Sequence, residues 1–162
     1  MVWKGIRRLV NTMIRSPYFP TSLRLRALRL IGVKAGKGEI RAGVMIAGPN
    51  LTLGTGVFVN AGTSLMNQAG IVLEDNVAIA PEALLLTSGH EIGPAQRRQG
   101  KLIRAPISVG SGTWIGARAV VLPGATIGPG CVIAAGALVT EDCEPNGLYM
   151  GTPAKRVRDL PE

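Results

Sequence analysis

The sequence predicts an all-β fold in which one domain of short parallel strands winds into a triangular solenoid. Two observations carry this prediction: aliphatic residues recur at every sixth position, and the residues near them in each hexad are small. The aliphatic positions, with a two-residue slip after Leu65, are Leu53, Val59, Leu65, Leu73, Ile79, Leu85, Val109, Ile115, Val121, Ile127, Ile133 and Val139. A period of six fits neither an amphipathic helix nor a half-buried strand, so it indicates a repeat architecture.

Three hexads make one coil, with a short strand on each of three sides and a tight corner between sides. The aliphatic residue points inward and stacks on its counterpart in the next coil, and the small residue fits the crowded interior near the corner. A β-sandwich is the alternative, but it would show alternation with a period of two. Because no coil can bury its apolar side alone, stability must come from stacking.

The N-terminal segment, residues 1–36, lies outside the repeat and is basic. The stretch Ser22–Ile31 is helix-forming, and its apolar face is expected to contain Leu23, Ala27, Leu30 and Ile31. Such a helix would cap the open end of the prism, where the strand edge of the first coil is otherwise unpaired. The cap is the favoured interpretation, and the same basic segment could in addition touch a membrane or a lipid-linked substrate.

The remaining chain divides into a repeat region, an excursion and a tail. The β-helix is expected over residues 37–148. An excursion loop at 91–106 matches no hexad and should project from the prism, which is where repeat proteins commonly carry function. Residues 149–162 form a polar and basic tail that we expect to cover the last coil.

The charge is strongly positive and unevenly distributed. The formal net charge is +8, and residues 1–41 contain ten Lys or Arg and one acid. The other basic residues cluster at 97–104 and 155–158 without interleaved aromatic side chains, so nucleic-acid binding is not predicted. A polyphosphorylated cosubstrate or an anionic membrane surface accounts for the charge more simply.

The sequence points to a cytoplasmic protein without a metal. It shows neither a run of about 18 apolar residues nor the pattern of a secretory signal. Cys131 and Cys143 occupy the small position of their hexads, where they replace alanine, and neither has a metal-type spacing. We therefore expect no metal and no disulfide.

His90 is the only histidine, and it stands where the repeat meets the excursion. The sequence TSGHEI around it is followed 24 residues later by Trp114–Gly116, and the chain closes with GTPAKRVR from Gly151 to Arg158. With the hexads, these motifs resemble the hexapeptide-repeat acyltransferases, of the maltose, galactoside and nodulation-factor O-acetyltransferase type and of the surface-polysaccharide type. The resemblance covers roughly residues 54–158.

This resemblance implies a left-handed β-helix, a homotrimer with active sites between subunits, and acetyl-CoA as acyl donor. It implies that His90 is the general base and that Asn60 contacts the acceptor. It assigns the binding of coenzyme A to Trp114, Ala117, Ala135, Thr140, Lys155 and Arg158. The implied function is O-acetylation of a sugar hydroxyl. The basic N-terminal segment favours a role in exopolysaccharide, capsule or lipopolysaccharide synthesis. It also favours peripheral contact with the inner membrane face.

Two departures from the family pattern stand out. No acidic residue precedes Glu74 except Glu39, so the N-terminal acid that orients the base in the maltose and galactoside enzymes has no evident counterpart. Glu141 follows Thr140 where a basic residue is common.

A zinc carbonic anhydrase on this fold needs three histidines and is excluded by the single one. N-acetylation of a nucleotide-linked amino sugar and a non-catalytic scaffold remain open from the sequence.

Overall fold

Three parallel sheets form the faces of a triangular prism, in a computed structural model that describes residues 2–48 and 50–161. Helices α1 (Val2–Arg15) and α2 (Thr21–Leu30) precede the first coil. The first three coils contain β1 (Lys34–Ala35), β2 (Gly38–Ile40), β3 (Met45–Ile46), β4 (Leu51–Leu53), β5 (Val57–Val59), β6 (Ser64–Met66), β7 (Ile71–Leu73), β8 (Ala78–Ile79) and β9 (Leu84–Leu86). The chain continues through β10 (Ser88–Ile92), β11 (Gln99–Arg104), β12 (Ile107–Val109), β13 (Trp114–Ile115), β14 (Val120–Val121), β15 (Thr126–Ile127), β16 (Val132–Ile133), β17 (Leu138–Val139), β18 (Gly147–Met150) and β19 (Lys155–Asp159).

Each coil contributes one strand to each face. The first face is β1-β4-β7-β12-β15, the second is β2-β5-β8-β13-β16-β18-β19, and the third is β3-β6-β9-β14-β17. We name two edges of the prism for the residues they carry. The asparagine edge joins the second and third faces and includes Asn60, and the histidine edge joins the third and first faces and gives rise to the β10-β11 hairpin that contains His90.

The core is a stack of the predicted aliphatic positions. On the first face Leu53, Leu73, Val109 and Ile127 lie in register from coil to coil. All are buried, as are their counterparts on the other faces, which confirms the repeat-based prediction. Full burial of such a side chain contributes about 1.5–3 kcal/mol relative to exposure.

The small residues are required because the corners approach closely. A Cβ on Gly116 would lie 2.5 Å from the Ala135 nitrogen in the next coil. Cys131 and Cys143 are buried at the corresponding interior positions, as their alanine-like spacing indicated.

The two N-terminal helices close the open end of the prism, so the expectation of a helical cap is confirmed. Three of their side chains take up backbone carbonyls of the first coil, one on each face. Arg29 donates to Ala35 O at 3.0 Å, Arg24 Nη1 donates to Ile40 O at 3.2 Å, and Asn11 donates to Ile46 O at 2.8 Å. These contacts satisfy acceptors that would otherwise be left without a neighbouring strand.

The buried face of α2 differs from the one that its apolar pattern suggested. Of the predicted face Ile31 is buried, but Leu23 is exposed and Leu30 is 80% exposed, and Arg24, Leu25 and Leu28 are buried instead. The carbonyls at the strand edge explain the difference, because a guanidinium can satisfy several of them at once and thereby draws the Arg24 side of the helix inward. No helix in the described chain is long and apolar enough to span a membrane.

The excursion is an antiparallel hairpin that begins at Ser88, earlier than the loop expected at 91–106. Ser88 pairs with Arg104 and His90 pairs with Leu102. At the other end of the chain β19 pairs antiparallel with β18 and so extends the second face beyond the last coil.

Candidate active site

His90 lies in strand β10 with its imidazole ring exposed and with both ring nitrogens engaged. Nδ1 is 3.0 Å from the Gly100 carbonyl oxygen, and Nε2 is 3.0 Å from the side-chain amide nitrogen of Gln99. Because a carbonyl can only accept, the Gly100 contact requires the hydrogen of a neutral ring to be on Nδ1. Nε2 is then the basic atom, and the amide of Gln99 is its hydrogen-bond donor.

Asn60 follows β5 at the asparagine edge and is half-buried. Its Oδ1 accepts a hydrogen bond from Ala61 N at 2.8 Å, which fixes the side-chain orientation. It lines a cavity of about 380 Å³ between the N-terminal helices and the prism, which we call the arginine cavity. The lining residues are Pro17, Thr21, Arg24, Arg41, Ala42, Phe58, Asn60 and Ala61.

Ala117 and Ala135 occupy the same edge in the fourth and fifth coils. The two corners are in direct contact, because Gly136 N donates to Ala117 O at 2.8 Å. Among the described residues no acceptor takes the Ala117 N–H, although the neighbouring Gly116 and Arg118 N–H groups both bond to adjacent coils. An unpaired backbone N–H at an exposed corner can bind a ligand oxygen.

Trp114 lies on the second face, immediately before this corner. Its strand neighbours are Ala78 and Val132, and its own side chain is 54% exposed. A large aromatic ring with half of its surface in solvent provides a flat apolar wall beside the asparagine edge.

The remaining predicted residues are exposed and lie at the C-terminal end of the prism. Thr140 follows β17 on the histidine edge, and Lys155 and Arg158 belong to β19. Lys155 Nζ is 3.3 Å from Glu141 Oε2, so the acid that departs from the family pattern pairs with one of the two residues expected to contact the phosphates. Arg156, in contrast, bonds to Tyr149 Oη and to three backbone carbonyls and therefore holds the tail in place.

Within one chain the predicted residues divide between two edges. Asn60, Ala117 and Ala135 lie along the asparagine edge with Trp114 beside them, while His90 and Thr140 belong to the histidine edge. The third face separates the two edges, and its strands are two or three residues long. The hydrogen bonds of His90 go to its own hairpin and not to Asn60.

Sequence reasoning missed the partners of His90 and the two arginines of the cavity. Gly100 and Gln99 lie in the excursion, where the hexad gives no register, and only the hairpin pairing brings them to His90. Arg24 and Arg41 were counted with a diffuse basic segment, because nothing in the local sequence distinguishes a buried arginine from an exposed one.

The stacked hexads and the projecting hairpin with its histidine are features of the hexapeptide-repeat class of proteins. Residues 106–141 match the family described as bacterial transferase hexapeptide (six repeats). This match covers 36 of the 162 residues and corresponds to the fourth and fifth coils, from β12 to β17.

Proteins similar to this chain are named as acetyltransferases. The chain is 34% identical over 113 residues to galactoside O-acetyltransferase of Escherichia coli (strain K12), covering 70% of this chain and 56% of the relative. It thus spans about half the length of the curated relatives that it matches. A hexapeptide-repeat acetyltransferase of Vibrio cholerae, solved with acetyl coenzyme A, superimposes with a TM-score of 0.86 at 26% identity, covering 99% of this chain and 88% of that one. A variant of perosamine N-acetyltransferase from Caulobacter crescentus, solved with CoA and GDP-perosamine, gives a TM-score of 0.62 at 27% identity, covering 78% and 51%.

Proposed function

We propose that the protein transfers an acetyl group from acetyl-CoA to a hydroxyl group of a sugar. The observation that carries the proposal is the state of His90: the Gly100 carbonyl holds the hydrogen on Nδ1 and leaves Nε2 free to take a proton once the acceptor displaces the Gln99 amide. A positioned imidazole is the commonest general base in enzymes. The family and the acetyl-CoA and CoA complexes of similar structures support a thioester as the donor.

The mechanism follows from these groups. His90 Nε2 takes the proton of the acceptor hydroxyl while its oxygen attacks the thioester carbonyl carbon. The unpaired Ala117 N–H donates to the oxyanion of the tetrahedral intermediate, a contribution of typically a few kcal/mol. When the carbon–sulfur bond breaks, the leaving thiolate of coenzyme A receives the proton from His90, so the imidazole returns to its starting state. The Gly100 carbonyl stabilises the imidazolium in the role that an acid would otherwise fill.

For coenzyme A we assign Trp114 as the wall of the groove, Ala135 and Thr140 as contacts to the pantetheine arm, and Lys155 and Arg158 as contacts to the phosphates. Trp114, Ala135 and Thr140 lie on or beside the two edges in the fourth and fifth coils, and Lys155 and Arg158 lie in β19 at the C-terminal end of the prism. The Lys155–Glu141 ion pair limits the phosphate affinity of Lys155.

The divided arrangement of the residues supports a homotrimer with active sites between subunits. On the third face Leu84, Val120 and Leu138 form an apolar row in register, each half-buried. If this row packs against a neighbouring prism, the histidine edge of one chain can face the asparagine edge of the next. Light scattering should give a mass of three chains at micromolar concentration, and a stable monomer would refute both the trimer and the shared site.

We further propose that the acceptor belongs to surface-polysaccharide synthesis and that the protein works at the inner membrane face. The support is helix α1, where Ile6, Leu9 and Met13 are exposed along one side with Arg8 and Arg15 also exposed. An apolar side flanked by arginines is suited to an anionic bilayer surface. Vesicles with anionic lipid should co-sediment the protein, and Leu9→Glu should abolish this. Equal sedimentation of the variant would refute the membrane contact.

Acetylation of an amino group is the second candidate, and the likeness to perosamine N-acetyltransferase favours it. The same base and the same oxyanion donor would serve an amine. Release of free thiol from acetyl-CoA, measured across sugars, nucleotide sugars and amino sugars, tests the activity. Mass spectrometry of the product after mild alkaline treatment then separates an ester, which is cleaved, from an amide, which survives. A lack of acceptor-dependent thiol release across the panel would refute the proposed function.

A further inference from the structure

The arginine cavity carries positive charge that its own residues do not balance. None of its eight lining residues is acidic, and two of them are arginines. Arg24 is 2% exposed, and its guanidinium bonds only to neutral groups: the hydroxyl of Thr21 and the carbonyls of Ser16, Phe19 and Ile40. Its Nε has no hydrogen-bond partner in the described chain.

Arg41 is the second charge and is more accessible. Its Nε is 2.8 Å from Glu39 Oε1, and its guanidinium carbon lies 5.7 Å from the centre of the Phe58 ring. Glu39 can balance only one of the two arginines. Burial, and after it the charge of Arg41, lower the pKa of Arg24, which is the direction expected for two cations with too few anions between them.

The same cavity contains the groups that would hold a sugar. Asn60 supplies an amide at its wall, and Phe58 supplies an aromatic ring, against which the C–H face of a sugar can pack. A neutral sugar can accept hydrogen bonds from the arginines through its hydroxyl groups, but it would desolvate them without balancing their charge, which is unfavourable. A negatively charged group would instead form charge-assisted hydrogen bonds, which are about twice as strong as neutral ones.

We propose that the arginine cavity is the acceptor subsite and that it selects sugars carrying an anionic group, a carboxylate or a phosphate, next to the ring. This inference rests on the proposed function for the identity of the ligand as acceptor. The inference adds the chemical class of the acceptor to the proposed function. It also names Arg41 as the residue that selects this class.

Binding measured by calorimetry tests the inference without requiring turnover. The probes are methyl β-D-glucuronide, glucose 1-phosphate and, as the neutral counterpart, methyl β-D-glucoside. Comparison of the first two probes also distinguishes a carboxylate ligand from a phosphate ligand. At least one anionic probe should bind about 10- to 100-fold more tightly than the neutral one, the range expected for a hydrogen bond between charged groups. The absence of a difference among the three probes overturns the inference.

Variants then assign the selectivity to Arg41. Arg41→Gln should remove most of the preference for the anion, whereas Glu39→Gln, which frees Arg41, should increase it. Arg26→Gln is the matched control, because Arg26 is exposed on the same helix as Arg24 and does not line the cavity. Arg24→Gln is unsuited as the main test, since Arg24 also holds the edge of the second face. A preference that persists in Arg41→Gln, or falls equally in Arg26→Gln, overturns the inference.

Thiol release with the same probes distinguishes the two proposals. Tight anion binding without acetyl transfer to any acceptor of the panel would refute the proposed function and leave an anion site. Acetyl transfer that is as efficient to the glucoside as to the anionic probes would leave the function and refute the inferred selectivity.

Discussion

Replacing His90 with alanine should reduce kcat about 10²- to 10⁴-fold, the usual contribution of a general base. This loss corresponds to about 2.7–5.5 kcal/mol in the barrier. The structure allows the effect to be read as catalytic, because the His90 ring is exposed and makes only two hydrogen bonds within its own hairpin. We expect the free energy of unfolding to change by less than about 1 kcal/mol.

The assay is thiol release from acetyl-CoA at saturating donor, with the acceptor that gives the highest rate in the panel. The rates of His90→Ala and of the unaltered protein are compared at the same pH and donor concentration. Thermal unfolding and light scattering of the variant check that fold and assembly are retained.

Glu91→Gln is the matched control, because Glu91 is the adjacent exposed carboxylate and the nearest alternative base. It should retain most of the activity. If His90→Ala instead kept more than about a tenth of kcat, which lies outside the range for a lost general base, the histidine would be structural. A large loss in Glu91→Gln would then assign the base to the carboxylate.

Two further predictions concern the cosubstrate and the cysteines. Glu141→Gln should lower the KM for acetyl-CoA by releasing Lys155 from its ion pair, and Lys155→Ala should raise it; an unchanged KM in both would assign this ion pair to the solvated surface. Burial raises the pKa of Cys143 to about 12, and burial also raises the pKa of Cys131, so neither thiol should react with iodoacetamide at pH 8 in the folded protein, whereas both should react in denaturant. Rapid labelling of the native protein, followed by mass spectrometry, would contradict the burial.

The hexads made the prism predictable because each repeat obeys the same packing rule. An inward aliphatic residue such as Ile115 packs on its counterpart in the next coil, whatever the distant sequence is. The local spacing is therefore sufficient to predict the stacked core. The same holds for the corner at Gly116, where a side chain would meet the neighbouring backbone.

The candidate site was only partly predictable, because its geometry depends on elements outside the repeat. The spacing could single out His90, but the atom that acts as the base follows from the Gly100 carbonyl, which a hairpin register brings into place. Helix α2 shows the same limitation. Its apolar pattern favoured a buried Leu30, yet Arg24 is buried instead, because the strand edge below it presents carbonyl groups.

Each end of the described prism carries groups that oppose the addition of a further strand. A stack of parallel strands with an open end is a template on which another chain can continue the same hydrogen bonding, as in a fibril. At the N-terminal end, side chains of Arg24, Arg29 and Asn11 occupy the carbonyls that an incoming strand would need. At the other end β19 reverses the strand direction and presents an outer edge with four charged residues among its five. In the described prism these groups hinder the pairing of another chain along its axis.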